Sequence, residues 1–379
     1  MKKLLRITTV SLSLDLLLKG QLKFLSNYFE VVGVASGIEL LNKVSQREGI
    51  RVINLPMERD MNILKDLVSL FKMTFLIHKE KPYIVHSNTP KGSLIAMIAA
   101  FICRVPHRVY NVTGLRFETE KGTYRKILIL MEKITCLCAT KVIPEGEGVK
   151  NTLLKEKITK KPLKKIFNGN INGVDMEYFN HTPEVLKNAQ KVINKDVFTF
   201  VYIGRLSRSK GINELLSAFK QLINSNKLNK PVRLLLVGSI ENDLDPLFPE
   251  TLKLIRELAE VQLIEGWQDD IRPYLAASDA LVFPSYREGF PNVVLQAGAM
   301  GLPSIVTDIN GCNEIIIEGT NGIIIPPRDK DSLYNAMLDF VENPQRVTVL
   351  AKNARNLIKN RYEQKQVWEA LLKEYKSLY

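Results

Sequence analysis

Glu288 follows an apolar run, Ala280 to Pro284, and sits on a turn, Glu288-Gly289-Phe290-Pro291, that leads into a helical pattern from Asn292 to Met300. A strand feeding a glycine-containing turn at a helix N-terminus is a ready-made anion site. Backbone N–H groups point outward there, the helix dipole favours negative charge, and glycine admits a ligand close to the backbone. Upstream, Arg205 and Lys210 lie on a loop between the strand-like Val201–Ile203 and Gly211. Ligands collect at the carboxyl ends of parallel strands, and two cations on one such loop can grip a diphosphate, arginine as a fork and lysine as a compact charge. A phosphate-binding turn beside a lone carboxylate points to a nucleotide-linked substrate whose other half needs a hydrogen-bond acceptor. The plain alternatives are a carboxylate that caps the following helix and two solvated surface cations.

These residues stand in a longer series. Glu288-Gly289-Phe290-Pro291 is followed by Gln296-Ala297, Gly301-Leu302-Pro303, Thr307-Asp308 with Gly311, and Asn321-Gly322 ahead of Pro326-Pro327. Before it come Gly204-Arg205-Leu206 with Lys210-Gly211, and Gly266-Trp267-Gln268-Asp269-Asp270. The first half carries His86-Ser87-Asn88-Thr89-Pro90-Lys91-Gly92, Val112-Thr113-Gly114-Leu115 and Asn172-Gly173-Val174-Asp175. As an ordered set this resembles the family-four retaining glycosyltransferases of GT-B fold, in the branch that builds bacterial surface polysaccharides such as capsule and lipopolysaccharide. The likeness covers nearly the whole chain and is densest from Val201 to Asp329.

The resemblance implies a hexosyltransferase-type enzyme that moves a sugar from a nucleotide-sugar, most simply a UDP-sugar, to a lipid-linked or oligosaccharide acceptor. It assigns Arg205 and Lys210 to the diphosphate, Glu288 to the sugar hydroxyls, and Gly204, Gly289, Phe290, Pro291 and Asn292 to the donor pocket. Trp267 and Gln268 fall on the base-side loop, where a core or hinge tryptophan is the other reading. Gln296 departs from the family's usual glutamate at the ribose; it keeps one carbonyl acceptor and adds donors. On the acceptor side stand His86, Thr89, Lys91 and Thr113. Asn88 replaces a second histidine of the family motif, Thr113 stands where many relatives have histidine, and His86 reads equally well as a core residue. No cofactor is implied, because the nucleotide-sugar is a substrate, and no metal: the four histidines lack metal spacing, and Asp243-Leu244-Asp245 reads as a solvated loop. Two rivals remain open, a sugar-nucleotide epimerase of the same fold and a non-catalytic nucleotide-sugar-binding relative.

Composition bounds the partners. The 379 residues are 45% hydrophobic and 25% charged, an ordinary globular balance long enough for two domains. Net charge is +13, and all of the excess lies before Asn180. A basic half can face nucleic acid, an anionic membrane or an acidic substrate, or be merely solvated. No stacking or groove-reading module accompanies it, which disfavours nucleic acid. An anionic membrane surface or a lipid diphosphate fits better. Lys2 and Lys3 precede an apolar stretch, but Arg6 and Asp15 interrupt it, so Leu4–Val10 reads as a strand rather than a signal peptide. No run reaches the ~18 apolar residues of a membrane span. Cys103, Cys136, Cys138 and Cys312 form no Cys-x-x-Cys pair and read as reduced thiols. The expected place is cytoplasmic, peripheral at the inner face of the cytoplasmic membrane.

Strand-like runs alternate with helical ones in two series, which predicts α/β architecture with two Rossmann-like, doubly wound parallel sheets. The runs are Leu4–Val10, Glu30–Ala35, Ile50–Leu55, Ile84–His86, Arg108–Val112 and Lys141–Ile143, then Thr199–Ile203, Arg233–Val237, Val261–Ile264, Ala280–Phe283, Ser304–Thr307 and Gly322–Ile325. Helix-like stretches include Met61–Ile77, Gly92–Cys103, Thr123–Cys138 and Ile212–Leu222. The break is the polar, Asn-rich stretch Asn168 to Asp196. The expected division is an acceptor-binding domain over 1–175, a nucleotide-sugar-binding domain over 176–355 that faces it across a cleft, and a C-terminal helix, 356–379, that crosses back onto the first domain.

Overall fold

The computed structural model describes residues 1–58, 62–192, 196–228 and 230–378. It divides into two units, Met1–Gly173 with Gln364–Tyr379, and Val174–Glu363. Each is built on a six-stranded, all-parallel sheet.

The strands of the first unit are β1 (Lys3–Val10), β2 (Glu30–Ser36), β3 (Arg51–Asn54), β4 (Ile84–Ser87), β5 (His107–Val112) and β6 (Lys141–Pro144), in the order β3-β2-β1-β4-β5-β6. Those of the second are β7 (Phe198–Ile203), β8 (Val232–Gly238), β9 (Val261–Glu265), β10 (Ala280–Phe283), β11 (Ser304–Thr307) and β12 (Gly322–Ile325), in the order β12-β11-β10-β7-β8-β9. Both are the same winding: the first strand of each unit lies beside its fourth, and the direction of winding reverses there. Every strand run read from the sequence is present; the inner ones are buried on both faces and so read as near-continuous apolar runs.

The helical readings shift at their ends. The expected Met61–Ile77 is Ile63–Glu80, with Met61 outside the described residues, and the buried helix behind β4 is Pro90–Ile102. The polar break contains a helix, Pro183–Ala189, that its composition hides; Thr182 caps it by accepting from the Val185 N–H. Residues 193–195 of that stretch lie outside the described residues.

In the first unit, one apolar core lies under the helices Ile63–Glu80, Pro90–Ile102 and Gly122–Cys138. The other lies under helices from the first fifty residues and under Gln364–Lys376, which supplies Leu371, Leu372 and Tyr375. On Gly122–Cys138, Glu132 is buried and accepts from the Tyr110 hydroxyl at 2.8 Å. Burial pushes its carboxyl up from 4.5 to about 7. The folded state therefore holds a proton that the unfolded chain releases first, and stability falls as pH rises through that window. Glu132→Gln is expected to be near neutral on the acid side of the window and to raise Tm on the alkaline side. Thermal melts of both proteins across pH measure this; equal shifts at both ends would contradict the assignment.

Candidate donor site at the carboxyl edge of the second sheet

Reversal of the winding between β7 and β10 leaves a crevice at their carboxyl ends, where open α/β sheets bind ligands. The loops that follow these two strands are therefore neighbours, although their residues are far apart in sequence.

The loop after β7 is held from several sides. The Tyr202 hydroxyl donates to the Arg205 carbonyl at 2.8 Å, and the Tyr202 ring stacks on Phe283 of β10. The Ser209 N–H donates to the Asp245 carboxylate at 2.8 Å, and the Ser209 carbonyl accepts from the Tyr286 N–H at 2.9 Å. The loop closes through the turn Arg208–Lys210 and Gly211, whose φ of 71° is left-handed, before the helix Ile212–Ile223. An added Cβ at Gly211 would lie 2.1 Å from the Pro284 carbonyl oxygen, so the two loops touch backbone to backbone.

The loop after β10 is locked in turn. Buried Ser285 accepts at its carbonyl from the Thr307 hydroxyl, and its own hydroxyl donates to Glu288 Oε1 at 2.9 Å. Glu288 Oε1 also forms a close ion pair with Lys210 Nζ. The two side chains are 17% and 21% exposed, shielded yet reachable, and Lys210 Nζ lies 5.7 Å from the centre of the Phe283 ring. The field of Glu288 reaches further. Burial first, then Glu288, raises Tyr202 and Cys312 well above their ordinary values. Gly311, with φ 76°, lies under the turn, its position for a Cβ only 2.6 Å from the Gly289 carbonyl oxygen. Pro291 caps the helix Asn292–Ala299 without a side-chain cap bond, so Glu288 is not the helix cap that its position also allowed.

The other expected donor residues divide. Arg205 is 65% exposed and pairs with Glu241 at 3.2 Å. Glu241 is held below its usual range by the Asp243 and Leu244 N–H groups and then by Arg205. Trp267 is 63% exposed, not a core tryptophan, and its indole N–H donates to Asp269 at 2.9 Å. Gln268 accepts from the Tyr274 hydroxyl at 3.0 Å. Phe290 turns into the core against Tyr362, while Asn292 and Gln296 stay partly exposed. Gly204, with φ 150°, begins the loop after β7. Among the described residues no three His, Cys, Asp or Glu side chains converge as a metal would need. Asp245 is already engaged by Ser209 and by Arg208 at 3.3 Å.

The first unit repeats the arrangement between β1 and β4. The Thr9 N–H donates to the Thr89 hydroxyl at 2.8 Å, the Gly92 N–H to the Thr9 hydroxyl at 2.9 Å, and the Thr113 hydroxyl to the Asn88 carbonyl at 2.7 Å. Lys91 pairs with Asp66 at 2.7 Å. His86 is 1% exposed, and its Nδ1 faces both Arg6 and the Tyr375 hydroxyl. Burial, then the Arg6 charge, drives its pKa well below the ordinary value. His86 is thus the core residue of the two readings. Sequence reasoning gave no role to Arg6, Ser285, Thr307 or Tyr375. For Arg6 there was a signal: a cation inside an apolar, doubly covered strand needs buried partners.

Two sheets of this winding in one chain are the GT-B architecture of glycosyltransferases. HepE of Anabaena, solved in complex with UDP and glucose, shares it over 100% of both chains with a TM-score of 0.82 at 20% identity. The family model "Glycosyl transferases group 1" matches residues 197–343, and "Glycosyl transferase 4-like" matches residues 11–145. The capsular polysaccharide biosynthesis glycosyltransferase CapM of Staphylococcus aureus is 34% identical over 375 residues, 99% of this chain and 97% of that protein. The UDP-Gal:alpha-D-GlcNAc-diphosphoundecaprenol alpha-1,3-galactosyltransferase of Escherichia coli is 32% identical over 308 residues, 80% of this chain and 77% of that protein. The chain belongs to the group 1, or family-four, glycosyltransferases.

Proposed function

We propose that this enzyme transfers a hexose, with retention, from a UDP-sugar to a lipid-linked or oligosaccharide acceptor in surface-polysaccharide synthesis. The observation that carries the reading is the Lys210–Glu288 pair, held half-shielded at the switch point of the second sheet. Two relatives support its context: one serves capsular polysaccharide biosynthesis, the other moves galactose from UDP-galactose onto a diphosphoundecaprenol-linked sugar.

In this reading the second unit holds the donor and the first the acceptor, with Thr89, Lys91 and Thr113 shaping the acceptor side and His86 buried behind them. An incoming diphosphate competes with Glu288 for Lys210 and with Glu241 for Arg205. Glu288, released in part, accepts hydrogen bonds from the sugar hydroxyls. The bond from the anomeric carbon to the diphosphate oxygen breaks, and the acceptor oxygen bonds to the same face of that carbon. The acceptor proton passes to the departing diphosphate. Charge grows on that leaving group in the transition state, where positioned cations stabilise it most. Gln296 receives the ribose through its carbonyl, and Trp267 offers an exposed ring to the base.

The test is UDP release from UDP-sugars with and without a diphospholipid-linked sugar. Release that depends on the acceptor supports transfer; tight UDP binding without release, or epimerised donor, overturns it. The same assay in EDTA is expected to keep its rate, since the neutralising cations are side chains. Lys210→Ala should lower kcat/KM by about 10- to 150-fold, the loss of one charged hydrogen bond of about 1.5–3 kcal/mol, and Arg205→Ala should cost less because its side chain is solvated. Unchanged steady-state kinetics in both variants would remove the diphosphate from this loop.

A further inference from the structure

The helices Ile63–Glu80, Pro90–Ile102 and Gly122–Cys138 pack side by side as one layer over the first sheet. Their inner faces fill the core, but their outer faces are not polar. On Ile63–Glu80 a stripe of Leu64, Leu67, Val68, Phe71 and Phe75 points to solvent at three- and four-residue spacing, with Leu64 77% and Phe71 75% exposed. On Gly122–Cys138 the matching exposed residues are Ile127, Leu130 and Leu137, and Phe101 and Ile102 stand at the end of the helix between them. A soluble helix layer ordinarily turns such residues inward, and apolar surface of this extent marks an interaction site.

The charges decide what it meets. The three helices carry only three carboxylates, Asp66, Glu80 and Glu132. Asp66 pairs with Lys91, Glu80 with Lys3 and Arg51, and Glu132 is buried against Tyr110. Exposed Lys72, Lys79, Lys126 and Lys133 interleave with the apolar stripes. The face is therefore apolar and cationic, with its negative charge committed elsewhere. A second copy of the same face would be repelled by it, whereas an apolar stripe rimmed by lysines matches the boundary between anionic headgroups and acyl chains.

We propose that this three-helix face docks on an anionic lipid bilayer, with Leu64, Phe71 and Phe75 entering the headgroup–acyl boundary and the lysines binding lipid phosphate. The inference deepens the lipid-linked acceptor reading and rests on it for its purpose, but binding to vesicles is read without any transfer reaction.

The test is flotation of the full chain with phosphatidylcholine vesicles and with vesicles that also contain phosphatidylglycerol. The wild type should float with the second kind and be largely released by raising salt well above about 0.1 M, where the Debye length is about 10 Å. The double variant Phe71→Glu/Phe75→Glu should lose about tenfold or more of its vesicle affinity, as should Lys72→Glu/Lys79→Glu. Leu12→Glu/Leu16→Glu, on the opposite layer of the same sheet, should float like the wild type. All substituted residues are exposed, and melting curves verify folding. UDP release with a short soluble acceptor should be unchanged in every variant, so failure of that assay in the wild type bears on the transferase reading and not on docking. Wild-type protein that ignores phosphatidylglycerol overturns the proposal. So does Phe71→Glu/Phe75→Glu floating normally, or sedimentation showing a dimer that this variant splits.

Discussion

Glu288→Gln is expected to cut transfer by about 100- to 1,000-fold while leaving UDP affinity within a few-fold of the wild type. The substitution is nearly isosteric, so Ser285 and Lys210 each keep an oxygen to donate to. What is lost is the charge that balances Lys210 and that, in the proposed reading, orders the sugar hydroxyls. Turnover on a matched acceptor and calorimetry with UDP read the two effects separately. If UDP binding disappears, Glu288 is a nucleotide ligand or a structural residue. If full turnover persists, the sugar is bound elsewhere. Gln296→Glu is the companion measurement: it restores the carboxylate usual in the family and should leave the enzyme active.

The second large effect is on folding. Gly211→Ala should lower stability by about 2–4 kcal/mol. The position is left-handed at φ 71°, and a methyl would be driven to 2.1 Å from the Pro284 carbonyl oxygen. That contact is backbone against backbone, so no side chain can swing away. Either the loop that bears Lys210 or the strand end that leads to Ser285 has to move, and transfer should fall with stability. Gly319 supplies the control. Its φ is 68° but nothing lies within 4 Å of its Cβ position, so Gly319→Ala should show only the left-handed strain of about 1–2 kcal/mol. Urea titrations of both variants compare the two costs. Equal losses would mean that the Pro284 contact carries no weight.

The strands were readable because parallel sheets covered on both faces demand apolar runs. β10, β11 and β12 match their sequence readings at both ends. The proximity of Lys210 and Glu288 was readable only through family likeness: no local pattern says that loops so distant in sequence share one crevice, and it is the strand order that joins them. The helix Pro183–Ala189 was hidden because it is only two turns long and lies within a polar, Asn-rich stretch that reads as turns. The partners of Glu288 were hidden for a different reason. Ser285 and Thr307 are small hydroxyl residues whose importance comes from being buried at a loop end, and burial there depends on tertiary packing. His86 shows the limit in reverse. Its motif marked it for chemistry, yet Arg6 and Tyr375, at opposite ends of the chain, occupy its Nδ1.

The return of the chain to its first sheet has a consequence for how the enzyme is made. Tyr375, on the helix Gln364–Lys376, accepts from Arg6 at 2.7 Å in the middle of β1 and contributes to the core beside Leu4 and Phe29. A ribosome that has finished the first 173 residues has therefore not supplied everything the first unit needs. The second unit, Val174–Glu363, is topologically an insertion, and its two ends meet: the Val174 N–H donates to the Tyr362 carbonyl at 2.8 Å, and Val174 bridges Glu363. It can close while still tethered to the ribosome, whereas the unit that begins first finishes last. A chain interrupted between Glu363 and Leu371 would thus lack a wall of the unit whose synthesis began first, leaving an open core for quality control to clear.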